Sequence, residues 1–275
     1  MSVNAELPRS SSRRWVTIVT PILSIAGLML IWDLAVRIFS IPKFVLPSPG
    51  EAFAAIITDW DAISRGIVAT AQVFVLGFII GAALGFILAI VMSSSKILFR
   101  FLYPIMIVSQ AIPVVAIGAA LVIWLGFGLA PKLVVVAMIV FFPVLVNVLD
   151  GLRSVDTDSI NLARAMGASR WRTFRVIKLP ATLTPLFSAL KMSATFSVTG
   201  AILAESLAST TGGLGVYLST MQGRFNTPGV FAAIIVLASI GLLAFLLISL
   251  WESAATPWRR TSVVPKRRRY QDAPT

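Results

Sequence analysis

From Ala69 to Met92 the chain runs for about 24 residues without one charged side chain. A helix of that length is about 36 Å long, enough to cross the roughly 30 Å of hydrocarbon in a bilayer. An apolar run this long has no stable place in water, so it limits the fold more than any other feature. Similar runs lie at Val16–Val36, Pro104–Leu125, Leu133–Leu149, Leu183–Leu207 and Val230–Trp251. The first is longer than the apolar core of a secretory signal and shows no small-residue cleavage site, so it is expected to remain as a span. Six crossings make an all-α, polytopic membrane protein the expected fold class. No fixed short period runs through the sequence, which argues against a solenoid.

Charge then sets the orientation. The net charge is +12, a value that invites a nucleic-acid reading. The basic residues, however, flank the apolar runs and form no recognisable DNA- or RNA-binding module, so no nucleic-acid partner is expected. Grouping alternate loops puts Arg9, Arg13, Arg14, Lys96, Arg100, the basic residues of 153–178 and the run Lys266 to Arg269 on one side. The other side holds only Lys43, Arg65, Lys132 and Arg224. By the positive-inside rule both termini are cytoplasmic. The expected organisation is a cytoplasmic tail at 1–15, a membrane domain at 16–251 and a basic cytoplasmic tail at 252–275. Because the positive charge is a topology signal, it says nothing about the sign of a transported solute. The chain has no cysteine and no histidine, which excludes disulfides, thiol chemistry and the common zinc sites.

Two stretches outside the spans carry local signals. Ile41–Gly50, with three prolines and a glycine, cannot continue a helix, and Glu51–Ser64 suits a short surface helix. Residues 156–180, DTDSINLARAMGASRWRTFRVIKLP, read as two short helices with a sharp turn between them. Asp156 and Asp158 are N-cap and first-turn acids, and Ile160, Ala163 and Met166 recur at a spacing of three. Gly167 stands where a left-handed cap needs a residue without a Cβ. Ser169 is the expected cap of a second helix with Trp171, Phe174 and Ile177 in one stripe, and Pro180 its expected end. Read blandly, this is an amphipathic pair lying on anionic lipid.

The spacing from Gly167 to Ile177, Leu179 and Pro180 resembles the cytoplasmic coupling loop of bacterial ABC-importer permeases. The family's Glu-Ala-Ala falls on Asn161, Leu162 and Ala163, so Ala163 matches and the glutamate does not, while Asp158 shares the helix face of Asn161. The turn Leu46-Pro47-Ser48-Pro49 and the segment from Glu205 to Leu218 are similar to the nitrate/sulfonate/taurine branch of that family. The resemblance covers nearly the whole chain. It implies a six-span type I importer permease fold in the bacterial inner membrane. It also implies a pair of ATPase subunits docked on residues 156–180, a second permease copy, an extracytoplasmic binding protein, and no cofactor in the chain itself, with ATP and magnesium in the partner. The solute would be nitrate-, sulfonate- or taurine-like, or a thiamine precursor. Coupling residues implied by the match are Asp158, Asn161, Ala163, Met166, Gly167, Ser169, Trp171, Phe174, Ile177, Leu179 and Pro180.

Polar groups inside spans need a reason, since an ionisable one costs about 2.5–3.5 kcal/mol at a helix centre on insertion scales. Asp33 can pair with Arg37 one turn on, and Lys191 can reach the cytoplasmic interface. Gln110 and Asn147 stand as candidates for the wall of a translocation pathway, and Glu205 either lines that pathway or ties the outer loop by accepting backbone N–H bonds. Gly77, Gly81 and Gly85 clear one helix face at intervals of four, for packing within the chain or for a dimer seam, with the former expected. There is no Gly-x-x-x-x-Gly-Lys-Ser/Thr loop, so the chain is not the ATPase, and no paired catalytic groups are seen. A proton-driven secondary transporter would have only Asp33 and Glu205 to work with, and a membrane-embedded enzyme would lack its catalytic pair.

Overall fold

The computed structural model of the protein describes residues 12–208 and 212–257, so most of the tails expected at 1–15 and 252–275 lies outside the described residues. Every regular element among the described residues is helical. They are α1 (Ser12–Ile38), α2 (Pro49–Thr58), α3 (Trp60–Ser94), α4 (Lys96–Gln110), α5 (Val114–Leu125), α6 (Leu129–Arg153), α7 (Thr157–Ala165), α8 (Arg170–Thr173), α9 (Leu179–Ala208), α10 (Leu214–Gly223) and α11 (Thr227–Ala255), with a π-helical turn at Phe174–Lys178 before α9. Among the described residues, four helical stretches are long and apolar enough to cross a membrane: Trp60–Ser94, Leu129–Arg153, Arg170–Ala208 and Thr227–Ala255. A fifth arises if α4 and α5 together make one crossing. The chain divides into two compact units, Met1–Ser64 with Tyr217–Ile235, and Arg65–Val216 with Val236–Thr275.

In the first unit the proline-rich turn is held by its own polar groups. Ser48 caps α2 with a full capping box: its hydroxyl accepts from the Glu51 amide at 3.3 Å, and the Glu51 carboxylate accepts from the Ser48 amide at 3.0 Å. Pro49 sits at the first helical position, where a missing N–H costs nothing. Lys43 pairs with Glu51 at 2.6 Å, and that hydrogen bond holds the Glu51 carboxyl below its usual range. Trp32 of α1 donates to the Pro47 carbonyl at 3.0 Å. Asp33 and Arg37 form the ion pair their spacing suggests, at 2.7 Å. Tyr217 donates to Asp59 at 2.7 Å; burial first, and then the carboxylate, push its phenol well above the usual value.

In the second unit α6 is the central element. Val136, Val140, Val144, Leu145, Val148 and Leu149 are wholly buried, packed with Phe187, Ala189, Leu190 and Ala201 of α9. The face of α3 with Gly77, Gly81 and Gly85 lies directly against α6, at Val136, Ala137 and Phe141. The glycine stripe is therefore used inside the chain. Lys191 of α9 meets Glu252 at the end of α11 at 2.7 Å, with both side chains mostly buried. A span lysine that was expected only to reach toward water has a fixed partner.

The short helix expected at Glu51–Ser64 is instead α2 up to Thr58, with Trp60 onward already in α3, and two expectations further on also change. The run Pro104–Leu125 is not one straight helix: α4 and α5 meet at 94°. Pro113 has no N–H for the helix ladder, and it drives Ile112 out of the helical region, so hydropathy continues where the helix cannot. Lys96 and Arg100, expected in a polar loop, begin α4 behind a Ser95 cap whose hydroxyl accepts from the Leu98 amide at 3.4 Å.

Candidate functional site

Residues 156–180 are shaped by local hydrogen bonds. The Asp156 carboxylate accepts from the Asp158 amide at 3.2 Å and caps α7. At the far end Gly167 has φ +84°. The Gly167 amide donates to the Arg164 carbonyl and the Ala168 amide to the Ala163 carbonyl, both at 2.9 Å. This is the double closure of a Schellman motif, which leaves few carbonyls at the helix end unpaired. Nothing lies within 4 Å of the place a Cβ on Gly167 would occupy. Glycine is needed there for its backbone conformation, and space plays no part.

Ser169 caps the second segment, accepting from the Arg172 amide at 3.2 Å. The expected stop at Pro180 does not occur. After the single turn of α8 the backbone widens into the π-helical turn, in which the Leu179 amide bonds to the Phe174 carbonyl five residues back. A proline in a regular helix clashes with the carbonyl four residues earlier, and a π turn displaces that carbonyl. The helix therefore passes Pro180 and runs from Arg170 to Ala208 as one 39-residue stretch. The second short helix is the end of a span, with no loop in between.

Leu162, Met166, Trp171 and Val176 are between 63% and 80% exposed. Trp171 stacks on Phe174 with ring centroids 5.7 Å apart. Ala163, Met166 and Ile177 come together in a shallow depression of about 220 Å³, beside Arg172 and Val176. Asp158 and Asn161 face outward on α7, while Leu179 and Pro180 are half-buried inside the continuous helix.

The candidates within the spans separate. Gln110, at the bend between α4 and α5, lines an open groove of about 340 Å³. Ser109 and Thr199 add hydroxyls, and Met138, Ile139, Phe142 and Phe196 form apolar walls. Asn147 does not line this groove; its amide donates to the Pro143 carbonyl at 2.8 Å. Glu205 is 1% exposed. One carboxylate oxygen accepts from the Thr70 hydroxyl and the other from the Gly215 amide, both at 2.7 Å. The Thr70 oxygen in turn accepts from the Leu214 amide at 2.9 Å. Thr70 was not singled out in the sequence, although a hydroxyl within an uncharged run was the available signal.

The sequence profile described as "Binding-protein-dependent transport system inner membrane component" matches residues 81–256, well over half of the chain. The chain belongs to this permease family. It is 32% identical over 241 residues to the formylaminopyrimidine transport permease protein ThiX of Halalkalibacterium halodurans, covering 87% of this chain and 96% of that one. It is 26% identical over 242 residues to the taurine transport system permease protein TauC of Escherichia coli, covering 86% and 88%. Among solved structures, the inward-facing MetNI methionine ABC transporter superposes with a TM-score of 0.65 at 18% identity, over 72% of this chain and 98% of that chain. That likeness extends to the fold alone. The permease's matched region begins at Gly81 and contains both the 156–180 stretch and the groove at Gln110, while α1 and α2 precede it. As an ABC importer permease the chain is a transport subunit and performs no bond chemistry.

Proposed function

We propose that this permease forms the translocation pathway of an ATP-driven importer, with separate ATPase subunits docked on residues 156–180. The observation that carries the proposal is the unbroken helix from Arg170 to Ala208. A displacement applied at Trp171 is passed along one continuous helix, past the groove at Phe196 and Thr199, to Glu205. The exposed side chains of Leu162, Met166, Trp171 and Val176 give an ATPase cleft something apolar to grip, and Arg170, Arg172 and Arg175 give it charge. ATP binding would draw two ATPases together and rock two permease copies between inward-open and outward-open forms, with a binding protein delivering solute from outside. In this scheme α1 is the sixth span, both termini are cytoplasmic and the membrane is the bacterial inner membrane. Gln110 lines the pathway, and Glu205 ties the outer connector to the spans. The relatives' names suggest a small organic solute, either a pyrimidine-type thiamine precursor or a sulfonate such as taurine.

Topology is tested with a reporter active only in the cytoplasm. It is expected to work when fused after Lys178 or Arg260 and to stay silent after Thr58 or Gly223. Activity at Gly223 would remove residues 156–180 from the side where ATP is found.

Docking is tested at Gly167. An ordinary L residue in the left-handed region costs about 1–2 kcal/mol, and a β-branched one more. If that cost falls on the docking-competent turn, Gly167→Val weakens co-purification with the ATPase by roughly five- to thirtyfold. Gly167→Asn, which tolerates the conformation, is expected to stay near wild type. Equal retention of the ATPase by the valine variant would show that the turn is not part of the docking surface.

A further inference from the structure

A second cavity, of about 400 Å³, lies where α3 gives way to α4 and α6 ends. Its lining includes Lys96, Arg100 and Arg153, and no carboxylate. We propose that this cavity binds the phosphate group of an anionic phospholipid.

Positive charge on one side of the membrane is already explained by topology, so charge alone would mean nothing. Convergence means more. Lys96 and Arg100 stand one turn apart on α4, whereas Arg153 comes from the end of α6, far away in the chain, yet all three line one cavity. The topology signal asks for basic residues on a side and does not ask them to meet. None of the three belongs to an ion pair among the described residues. The Arg153 guanidinium lies 4.0 Å from the centre of the Phe99 ring. That cation–π contact steadies the guanidinium, whose planar set of N–H donors suits it to grip a phosphate with two parallel bonds.

The same helix supplies a place for the rest of the lipid. Ile97, Phe101 and Ile105 follow each other at intervals of four on α4, exposed by 81%, 67% and 46%. They form an apolar ladder beside the Lys96 and Arg100 edge. An acyl chain lying on that ladder puts its headgroup at the cavity, whereas free phosphate would use the cations and leave the ladder bare. This assignment needs α3 and α6 to cross the bilayer and needs the ATPase to dock elsewhere than on this cavity.

The test uses the permease complex purified in mild detergent and measured by native mass spectrometry. The probes are phosphatidylglycerol, phosphatidylcholine of the same chain length, and inorganic phosphate. Wild type is expected to retain phosphatidylglycerol over phosphatidylcholine. The Lys96→Gln/Arg100→Gln/Arg153→Gln variant is expected to bind it roughly a hundredfold more weakly, from the loss of three cationic contacts. The variant Arg100→Lys/Arg153→Lys, which keeps the charge, is expected to retain most of the binding. Elution profile and thermal unfolding check the fold, and Arg153→Gln alone carries the test where the triple variant does not fold. Equal lipid retention by wild type and the charge-loss variants would overturn the proposal. So would phosphate binding without preference for phosphatidylglycerol, which would make free phosphate the ligand. Loss of the ATPase from the triple variant, with no bound lipid in wild type, would assign the cavity to the docking face and equally overturn it.

Discussion

Gly81→Leu is expected to abolish recovery of folded permease. A Cβ built on Gly81 falls on the Ala137 carbonyl oxygen and lies 2.9 Å from the Ala137 Cα, so the obstruction is the backbone of α6. One turn to either side the approach is also too close: a Cβ on Gly77 meets the Val136 side chain at its Cβ at 2.7 Å, and one on Gly85 meets the Phe141 carbonyl at 2.6 Å. Overpacking a core typically costs about 1–3 kcal/mol when neighbouring side chains can change rotamer. Here no rotamer change helps, because two helices must separate along the face that buries Val136 and Val140. Gly81→Ala is expected to lower the thermal midpoint and the yield, and leucine to leave no monodisperse peak in detergent. Gly50→Ala, where nothing lies within 4 Å, serves as a control and should behave as wild type. A dimer seam makes a different prediction: Gly81→Leu would then elute as a folded monomer. That result would remove α3 from the position against α6 described above.

What could be read from the sequence divides by the range of the interaction responsible. The caps at Asp156 and Ser169 and the turn at Gly167 are made by groups within a few residues of one another, so residue type and spacing announce them. The bend at Pro113 was equally local, but the apolar run continues through it, and span length outweighed the proline. Pro180 misled in the opposite direction. Its stop signal is cancelled by the π turn at Phe174–Lys178, and no residue in FRVIK marks a π turn. Partners far apart in the chain left almost no trace. Lys191 and Glu252 are 61 residues apart, and Thr70 and Glu205 are 135 apart. Hydropathy registers one polar side chain in each span and cannot say that two of them meet. Asn147 shows the converse, a polar span residue whose amide is satisfied by the carbonyl of Pro143 within its own helix.

Glu205→Ala is expected to cost most of the folded complex, because the carboxylate accepts from two buried donors. The Gly215 N–H and the Thr70 hydroxyl would each lose a partner, at about 1–3 kcal/mol per unsatisfied buried group. Glu205→Gln should be far milder. Its amide oxygen can still accept from Gly215, and its NH2 can point at the Thr70 oxygen, which has a second lone pair beyond the one taken by Leu214. Only the Thr70 O–H is then left to find another acceptor, so complex yield is expected to fall in the order wild type, Gln, Ala, with the last step much the larger. A carboxylate that lines the pathway predicts another pattern: Gln would assemble normally but change transport or its coupling to ATP hydrolysis. Thr70 separates the two roles. Thr70→Val removes the hydroxyl donor to Glu205 and the acceptor for Leu214 together, so a structural tie predicts that it mimics Glu205→Ala in yield. A pathway role gives valine at position 70 no reason to mimic anything. Complex yield and ATP-driven uptake measured side by side for Glu205→Ala, Glu205→Gln and Thr70→Val decide the matter. Full yield with altered uptake in the glutamine variant, alongside a well-folded Thr70→Val, would return Glu205 to the translocation path.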